Sequence, residues 1–422
     1  MVQPATATDK RHQRRTRLLG GGRFSVVEAL LRREDVRVSE NALLARARGH
    51  LLRRGAVLAA FMLLVALLGA SPAWAKTFTV TNLNDSGSGS LREAINDDEA
   101  RAGKDEIVFA DGLSGTITLG SELPTITDRA GLVIDGGGDI TVSGNNAVQV
   151  LEVAPKAKLD LRSLTVSDGS NIVGGAIFNA GTLKVSNSTF SGNSATNGGA
   201  IENAGTLEVT NSTFFGNTAT SGGAIENAGG GTLKVSNSTF SGNRATTGGA
   251  IDNEGMLEVT NSTFFGNSAT GGGAIRNGGV GTVEVINSTF SGNSATNGGA
   301  LLNGENSSMT LGNTIVANST FGGNCSFEFG TPITDEGYNI DDDGTCGFTP
   351  ETGSLPDTNP LLDPAGLADN GGPTLTIALQ PESPAVGLVG QEACPPPKTD
   401  QRGVERPQGE ACDSGAFELV EE

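Results

Sequence analysis

The fold that this sequence predicts is an all-β parallel β-helix closed by N- and C-terminal caps, and three observations predict it. Gly-Gly-Ala-Ile recurs at Gly174–Ile177, Gly198–Ile201, Gly222–Ile225, Gly248–Ile251 and Gly272–Ile275, then as Gly298–Leu301, with starts 24, 24, 26, 24 and 26 residues apart. A fixed period in the twenties marks a solenoid. Asn-Ser-Thr-Phe keeps step with it at Asn187, Asn211, Asn237, Asn261 and Asn287. Between the motifs, apolar and polar residues alternate, as in Leu183/Val185 and Leu207/Val209, which is strand periodicity. Gly and Asn punctuate these short strands, and both tolerate left-handed turns. Helical spacing is absent from the period, no proline falls between Pro155 and Pro332, and the Leu-rich consensus of leucine-rich repeats is missing. Coils of strand that hydrogen-bond to the next coil at a rise of about 4.8 Å are what remains.

The segments follow in order. Residues 1–54 form a basic extension holding 13 of the 28 Lys and Arg but 5 of the 47 Asp and Glu. Residues 55–75 contain the apolar run Ala56–Leu68, preceded by Arg53-Arg54 and followed by Ala73-Trp74-Ala75. That reads as a secretory signal cut after Ala75, in a run too short for a comfortable membrane span. The long leader admits two explanations, a start codon placed too far upstream or a cytoplasmic tail on a signal anchor. Residues 76–130 lack the repeat and carry a helical stretch at Ser90–Asn96, suited to cover the first coil. Residues 131–318 are the coils, the early ones irregular, with Leu132-Val133-Ile134 and Leu159/Leu161/Val166 aligned to later inward positions. Residues 319–422 hold 12 of the 16 prolines and all four cysteines, and read as last coils plus a C-terminal cap. Solenoids need such caps because an open end exposes strand edges.

Stacking turns sequence columns into ladders. Phe190, Phe214, Phe240, Phe264 and Phe290 should stack inside, as should Ile177 and its equivalents. Asn179, Asn203, Asn227, Asn253, Asn277 and Asn303 should form one amide ladder and the Asn-Ser-Thr asparagines a second. Lys184, Glu208, Lys234 and Glu258 alternate in sign on the outside, which favours pairing across neighbouring strands. The column after the Ile reads Phe178, Glu202, Glu226, Asp252, Arg276, Leu302. Its expected state is a solvated acidic stripe capped by Arg276, with a divalent cation on Glu202, Glu226 and Asp252 as the alternative.

Composition excludes several chemistries. From Lys76 onward there are 15 basic and 42 acidic residues, a formal −27, which disfavours nucleic acid and anionic membrane as partners. Both histidines, His12 and His50, and the one tryptophan, Trp74, precede the expected cleavage. Ser-His and Cys-His nucleophiles are therefore excluded from the exported chain. Glycoside hydrolysis needs only two carboxylates and survives, but the acids of the repeats are periodic where a catalytic pair should break the pattern. Asn-x-Ser/Thr at the five repeat asparagines is read as a structural ladder before a glycan acceptor. Asn339-x-Asp341-x-Asp343-Gly344 opens like a calcium loop, yet Pro350 stands where its bidentate Glu is wanted. No organic cofactor is expected, and Ca²⁺ is the ion these residues admit. Cys325, Cys346, Cys394 and Cys412 suggest two disulfides in an exported chain, sequence-local pairing being the simplest of three connectivities.

Phe190-Ser-Gly-Asn193, Phe214-Phe-Gly-Asn217, Phe240-Ser-Gly-Asn243, Phe264-Phe-Gly-Asn267 and Phe290-Ser-Gly-Asn293, each paired with Gly-Gly-Ala-Ile, resemble the repeats of chlamydial polymorphic outer membrane proteins. Gly89–Ala94 resembles the CSLREA motif without its Cys. Ala368–Thr374, Ser383–Ala385, Asp400–Pro407 and Gly415–Glu418 resemble a choice-of-anchor C-terminal domain. Together they look like bacterial right-handed parallel β-helix proteins of pectin-lyase-like fold. The resemblance implies an extracellular or cell-surface location and a structural or adhesin-like role, with glycans or cell-surface components as partners and no membrane span in the mature chain. A polysaccharide lyase or glycoside hydrolase is the rival reading. Such proteins usually carry a sorting signal after Gly-Ala-Phe-Glu, and none follows before Glu422, so release to the medium or a truncated reading frame is the expectation. The Asp400/Arg402/Arg406/Asp413/Glu418 cluster is expected to be a salt-bridged cap.

Overall fold

Each repeat folds into one coil of three short parallel strands. In the coil that begins at Gly174 these are a Gly-Gly-Ala-Ile strand, Ile177–Asn179, a middle strand, Thr182–Ser186, and a Phe strand, Thr189–Ser191. A computed structural model describes residues 75–100, 103–328 and 331–420. The basic extension and the signal-like run Ala56–Leu68 lie outside the described residues. The Gly-Gly-Ala-Ile strands align from Leu151–Val153 to Cys325–Phe327 in one eight-stranded sheet. The middle and Phe strands of successive coils pair in the same register, Leu207 opposite Leu233 and Phe214 opposite Phe240. The result is a parallel β-solenoid of about ten turns.

The motifs have separate physical tasks. Gly198 has φ +60°, and on Gly199 a Cβ would sit 2.1 Å from the carbonyl oxygen of Gly223 in the next coil. The first glycine permits the turn and the second permits close stacking. Asn187 and its four repeat equivalents all have φ between 47° and 52°, the left-handed bend that joins the middle strand to the Phe strand. The serine that follows locks this corner: Ser212 N–H donates to Ser238 Oγ at 3.1 Å, while Ser212 Oγ donates back to the Thr210 carbonyl at 2.8 Å. Where a coil is two residues longer, the extra residues form a turn at Ala228–Gly231, and the next strand resumes its register.

The interior is a set of ladders. The five phenylalanine rings stack with centroids 4.7–4.9 Å apart and planes within 8°, and all are fully buried. The Asn179 ladder is continuous, each Nδ2 donating to the next Oδ1 at 2.7–3.0 Å up to Asn303. The Asn187 column is not continuous. Its amides bond in pairs, Asn211 to Asn187, Asn261 to Asn237 and Asn313 to Asn287. A further continuous ladder runs through Asn193, Asn217, Asn243, Asn267 and Asn293 at 2.9–3.0 Å. Each of its Nδ2 groups also reaches the carbonyl of a Phe-ladder position one coil back, as Asn243 does to Phe214. The same period carried this signal in the sequence.

The N-terminal part joins the solenoid directly. The helix Leu91–Glu99 is capped by Ser90, whose Oγ accepts from the Glu93 amide, while Glu93 accepts from the Gly89 amide at 2.6 Å, a capping-box variant that reaches one residue before the N-cap. Strands Thr77–Val80 and Asp105–Phe109 pair in parallel with each other, and Asp105–Phe109 pairs in turn with Leu132–Ser143. Leu132, Leu159 and Leu183 share one inward column, as their spacing predicts.

The C-terminal segment departs from the expected end cap. The disulfides are Cys325–Cys346 and Cys394–Cys412, the sequence-local pairing. The first lies at the end of the coils. The chain around the second folds back along the side of the solenoid. Thr239 Oγ1 donates to the Leu375 carbonyl at 2.6 Å, Thr263 Oγ1 to Gln401 Oε1 at 2.7 Å, and Thr289 Oγ1 accepts from the Ala416 amide at 2.9 Å. This clasp covers Asn261 and Asn287, which are buried. Within it, Arg406 is buried against Glu418 at 3.1 Å and donates to the carbonyls of Asp413 and Gly415, while Arg402 pairs with Asp400 at 2.7 Å. The charged cluster is thus a salt-bridged structural element.

Candidate functional site

The acidic column is the place where the structure corrects the sequence most sharply. Strand alternation points Glu202, Glu226, Asp252, Arg276 and Leu302 outward, in register on neighbouring coils. They are nonetheless sheltered: Glu202 is 8% exposed, Asp252 3% and Leu302 4%, and Glu226 is half-buried. The expected solvated stripe is therefore not solvated. The adjoining bridge column, Asn197–Ser221–Thr247–Gly271, runs parallel to it. Thr247 Oγ1 donates to Asp252 Oδ2 at 2.6 Å, and a Cβ on Gly271 would meet Leu302 Cδ2 at 2.9 Å. Outward alternation fixes direction, but the neighbouring corner of the coil decides exposure.

Electrostatics divide the column. Arg276 Nη1 lies 2.8 Å from Asp252 Oδ1, so this arginine caps the acidic column as the order of residues in the sequence suggests. Oε2 of both Glu202 and Glu226 is buried and accepts no hydrogen bond. Burial, with Glu254 nearby, pushes Glu202 up to about 7. Burial, then the charges of Glu202, Asp252 and Glu254, pushes Glu226 up to about 8 against the opposing effect of Arg276. Perturbed acids of this kind concentrate at functional sites.

The calcium-like loop resolves differently. Asp341, Asp342 and Asp343 bring carboxylate oxygens within 4.8 Å of one another, the one such triple among the described residues. Asn339 does not join them. It is buried, donates to the Leu311 carbonyl and to Asp335, and accepts from the Thr314 amide. The triple's own oxygens are engaged by the protein. Asp341 accepts from Asn324 Nδ2 and the Cys346 amide, Asp342 from Asn318 N–H and Asn324 Nδ2, and Asp343 from the amides of Thr345 and Asn324. Burial raises Asp341 to about 6, while hydrogen bonds from Thr345 hold Asp343 low against its own burial. These acids build the turn that Cys325–Cys346 closes.

The remaining outer columns carry paired charges and exposed hydroxyls, and a concavity lined by Arg244, Ser268, Thr270, Thr296 and Phe321 lies on one of them. Lys184 pairs with Glu208 and Lys234 with Glu258 across adjacent strands. Thr196, Thr220, Thr246, Thr270 and Thr296 form an exposed column at one-coil spacing. Phe215 is 57% exposed, whereas Phe265 packs against the clasp. Among the described residues, no helix is long and apolar enough to cross a membrane.

The profile of the Chlamydia polymorphic membrane protein repeat matches residues 187–204 and 237–254. Each match runs from the Asn bend through the next Gly-Gly-Ala-Ile strand. No curated protein matches the chain. Among solved structures, pectate lyase Pel9A is similar at 13% identity and TM-score 0.47, over 82% of this chain and 97% of that one. The cedar pollen allergen jun a 1 is similar at 17% identity and TM-score 0.31, over 56% of this chain and 68% of that one.

Proposed function

We propose that this protein is a secreted or cell-surface β-helix that binds glycans or other surface components along its sides, without catalysing a reaction on them. One observation carries the reading: the exposed columns, above all the five threonines from Thr196 to Thr296, repeat the same hydrogen-bonding group at one-coil spacing. A ligand of repeating units engages such a lattice many times weakly, and the sum is avidity without a single deep site. The two disulfides and the formal charge of −27 from Lys76 onward support an oxidising, extracellular setting.

A second reading has its own support. Glu202 and Glu226, neighbours in one column, are pushed up to about 7 and about 8, and carboxyls raised into the neutral range can serve as general acid or base. Against it, both carboxyls project from one side of one column, whereas glycosidases flank the scissile bond from two sides. A glycan-array screen beside a reducing-sugar assay on the purified protein separates the readings. Binding to extended glycans without release of reducing ends is the expected result. Sugar release that disappears in Glu202→Gln or Glu226→Gln would establish the hydrolase, and an array with no bound glycan would remove glycans as the ligand of the first reading.

A further inference from the structure

We propose that Glu202 and Glu226 together hold a hard divalent cation, Ca²⁺, on the side of the β-helix. The two residues lie directly opposite one another on neighbouring Gly-Gly-Ala-Ile strands, about 4.8 Å apart along the axis. Glu202 is more than nine-tenths buried, and the buried Oε2 of each glutamate meets no donor from the protein. A carboxylate placed there without a partner is costly.

The next coil shows what the same column does when a cation is present. Asp252 has one oxygen on Arg276 Nη1 at 2.8 Å and the other on Thr247 Oγ1 at 2.6 Å. Among the described residues, neither Glu202 nor Glu226 forms an ion pair with any basic side chain. The column thus carries its own positive charge at one end and lacks one at the other. Glu254 adds a further negative charge beside both glutamates.

The donor set fits an oxygen-seeking ion. Asn197 and Ser221 pair in the same bridge column as Thr247 and stand five residues before Glu202 and Glu226, as Thr247 stands before Asp252. Two carboxylates, with the Ser221 hydroxyl and the Asn197 amide in the adjoining column, suit Ca²⁺, and the described residues offer no free thiol or imidazole to favour zinc. Asp341, Asp342 and Asp343 are the opposite case, three clustered acids whose oxygens already accept from the protein. Unmet acceptors, not the number of acids, single out the pair in the coils.

Calorimetric titration of CaCl₂ into the metal-free full-length protein tests this, with thermal unfolding measured with and without CaCl₂. One site per chain and a raised melting temperature are expected. Glu202→Gln and Glu226→Gln, which keep shape and remove charge, should each weaken binding by roughly tenfold or more, with unchanged circular dichroism. Asp343→Asn should leave the affinity unaltered. Absence of heat and of any melting shift in the wild type would overturn the proposal, as would binding that survives the double glutamine variant or is lost in Asp343→Asn. If the glutamine variants melt higher without calcium and calcium leaves the wild type unchanged, the pair holds only protons and the proposal falls. Glycan arrays run in a chelator read the binding function separately, so failure of one leaves the other standing.

Discussion

The coils between Gly174 and Ala317 and the clasp between Pro356 and Val420 are stabilised in opposite ways. In the coils the core contacts are repeated: a phenylalanine meets the phenylalanines above and below, and an inward asparagine bonds to its own counterpart. Stability there is close to a sum of nearest-neighbour terms, as in other solenoids. The clasp has no repeat. It is held by single long-range contacts such as Gln401 to Thr239 and Thr263, by the buried Arg406–Glu418 pair and by Cys394–Cys412. The two meet on one column of the Asn-Ser-Thr-Phe motif, and there the difference is instructive. Thr239, Thr263 and Thr289 are buried beneath the clasp, while Thr189 and Thr213 are identical in sequence and only half-buried. Identity of sequence thus makes the coils, and difference of neighbour makes the surface.

The comparison is broken most directly in the middle of the coils. Phe240→Ala removes a ring stacked on both faces and should cost about 3–5 kcal/mol, read as a lowered denaturation midpoint. An unchanged midpoint would mean that the ladder is not the core. Next in size is the clasp. Cys394–Cys412 closes a separation of 18 residues, and a loop of that size contributes about 3 kcal/mol. Reduction should release amide protection in 356–420 first and leave the coils from Gly174 to Phe290 protected, as followed by hydrogen exchange. Simultaneous loss in both regions would show one cooperative unit instead of two. Asn243→Ala strands the Asn217 amide groups and the Phe214 carbonyl and should cost about 1–3 kcal/mol.

The acidic column sharpens the comparison by pH. Glu202 and Glu226 are raised by burial above the ordinary carboxylate range, to about 7 and about 8, so the folded state binds more protons than the unfolded state between about pH 4.5 and 8. Stability from these groups is therefore present at low pH and lost as pH rises through that window. In a chelator, Glu226→Gln should flatten the decline and leave the variant more stable than the wild type at pH 8–9, as measured by urea midpoints. A variant less stable at that pH would show that the carboxyl is engaged after all. The smallest effect belongs to Glu208→Ala on the exposed Lys184 pair, expected under about 1 kcal/mol and checked in the same denaturation series as Phe240→Ala.

Much of the fold was legible because a β-helix repeats its environment whenever it repeats its sequence. Period alone determined the inward Phe and Ile columns, the Asn179 ladder, the sign-alternating Lys184–Glu258 column and the register across longer coils. The Asn193 ladder was equally available, since its asparagine closes the Phe-x-x-Asn motif. Local pairing of the cysteines followed from their closeness in the chain. What the period cannot carry is how far its surroundings cover an outward side chain. The shelter around Glu202 comes from the adjoining corner of the coil, and the burial of Asn261 from a strand of chain 138 residues away. Sequence by itself thus determined which side chains face inward, because alternation and stacking are local and additive. Only the tertiary structure decided which outward side chains are covered, charged or left without a partner, because desolvation depends on every neighbour at once.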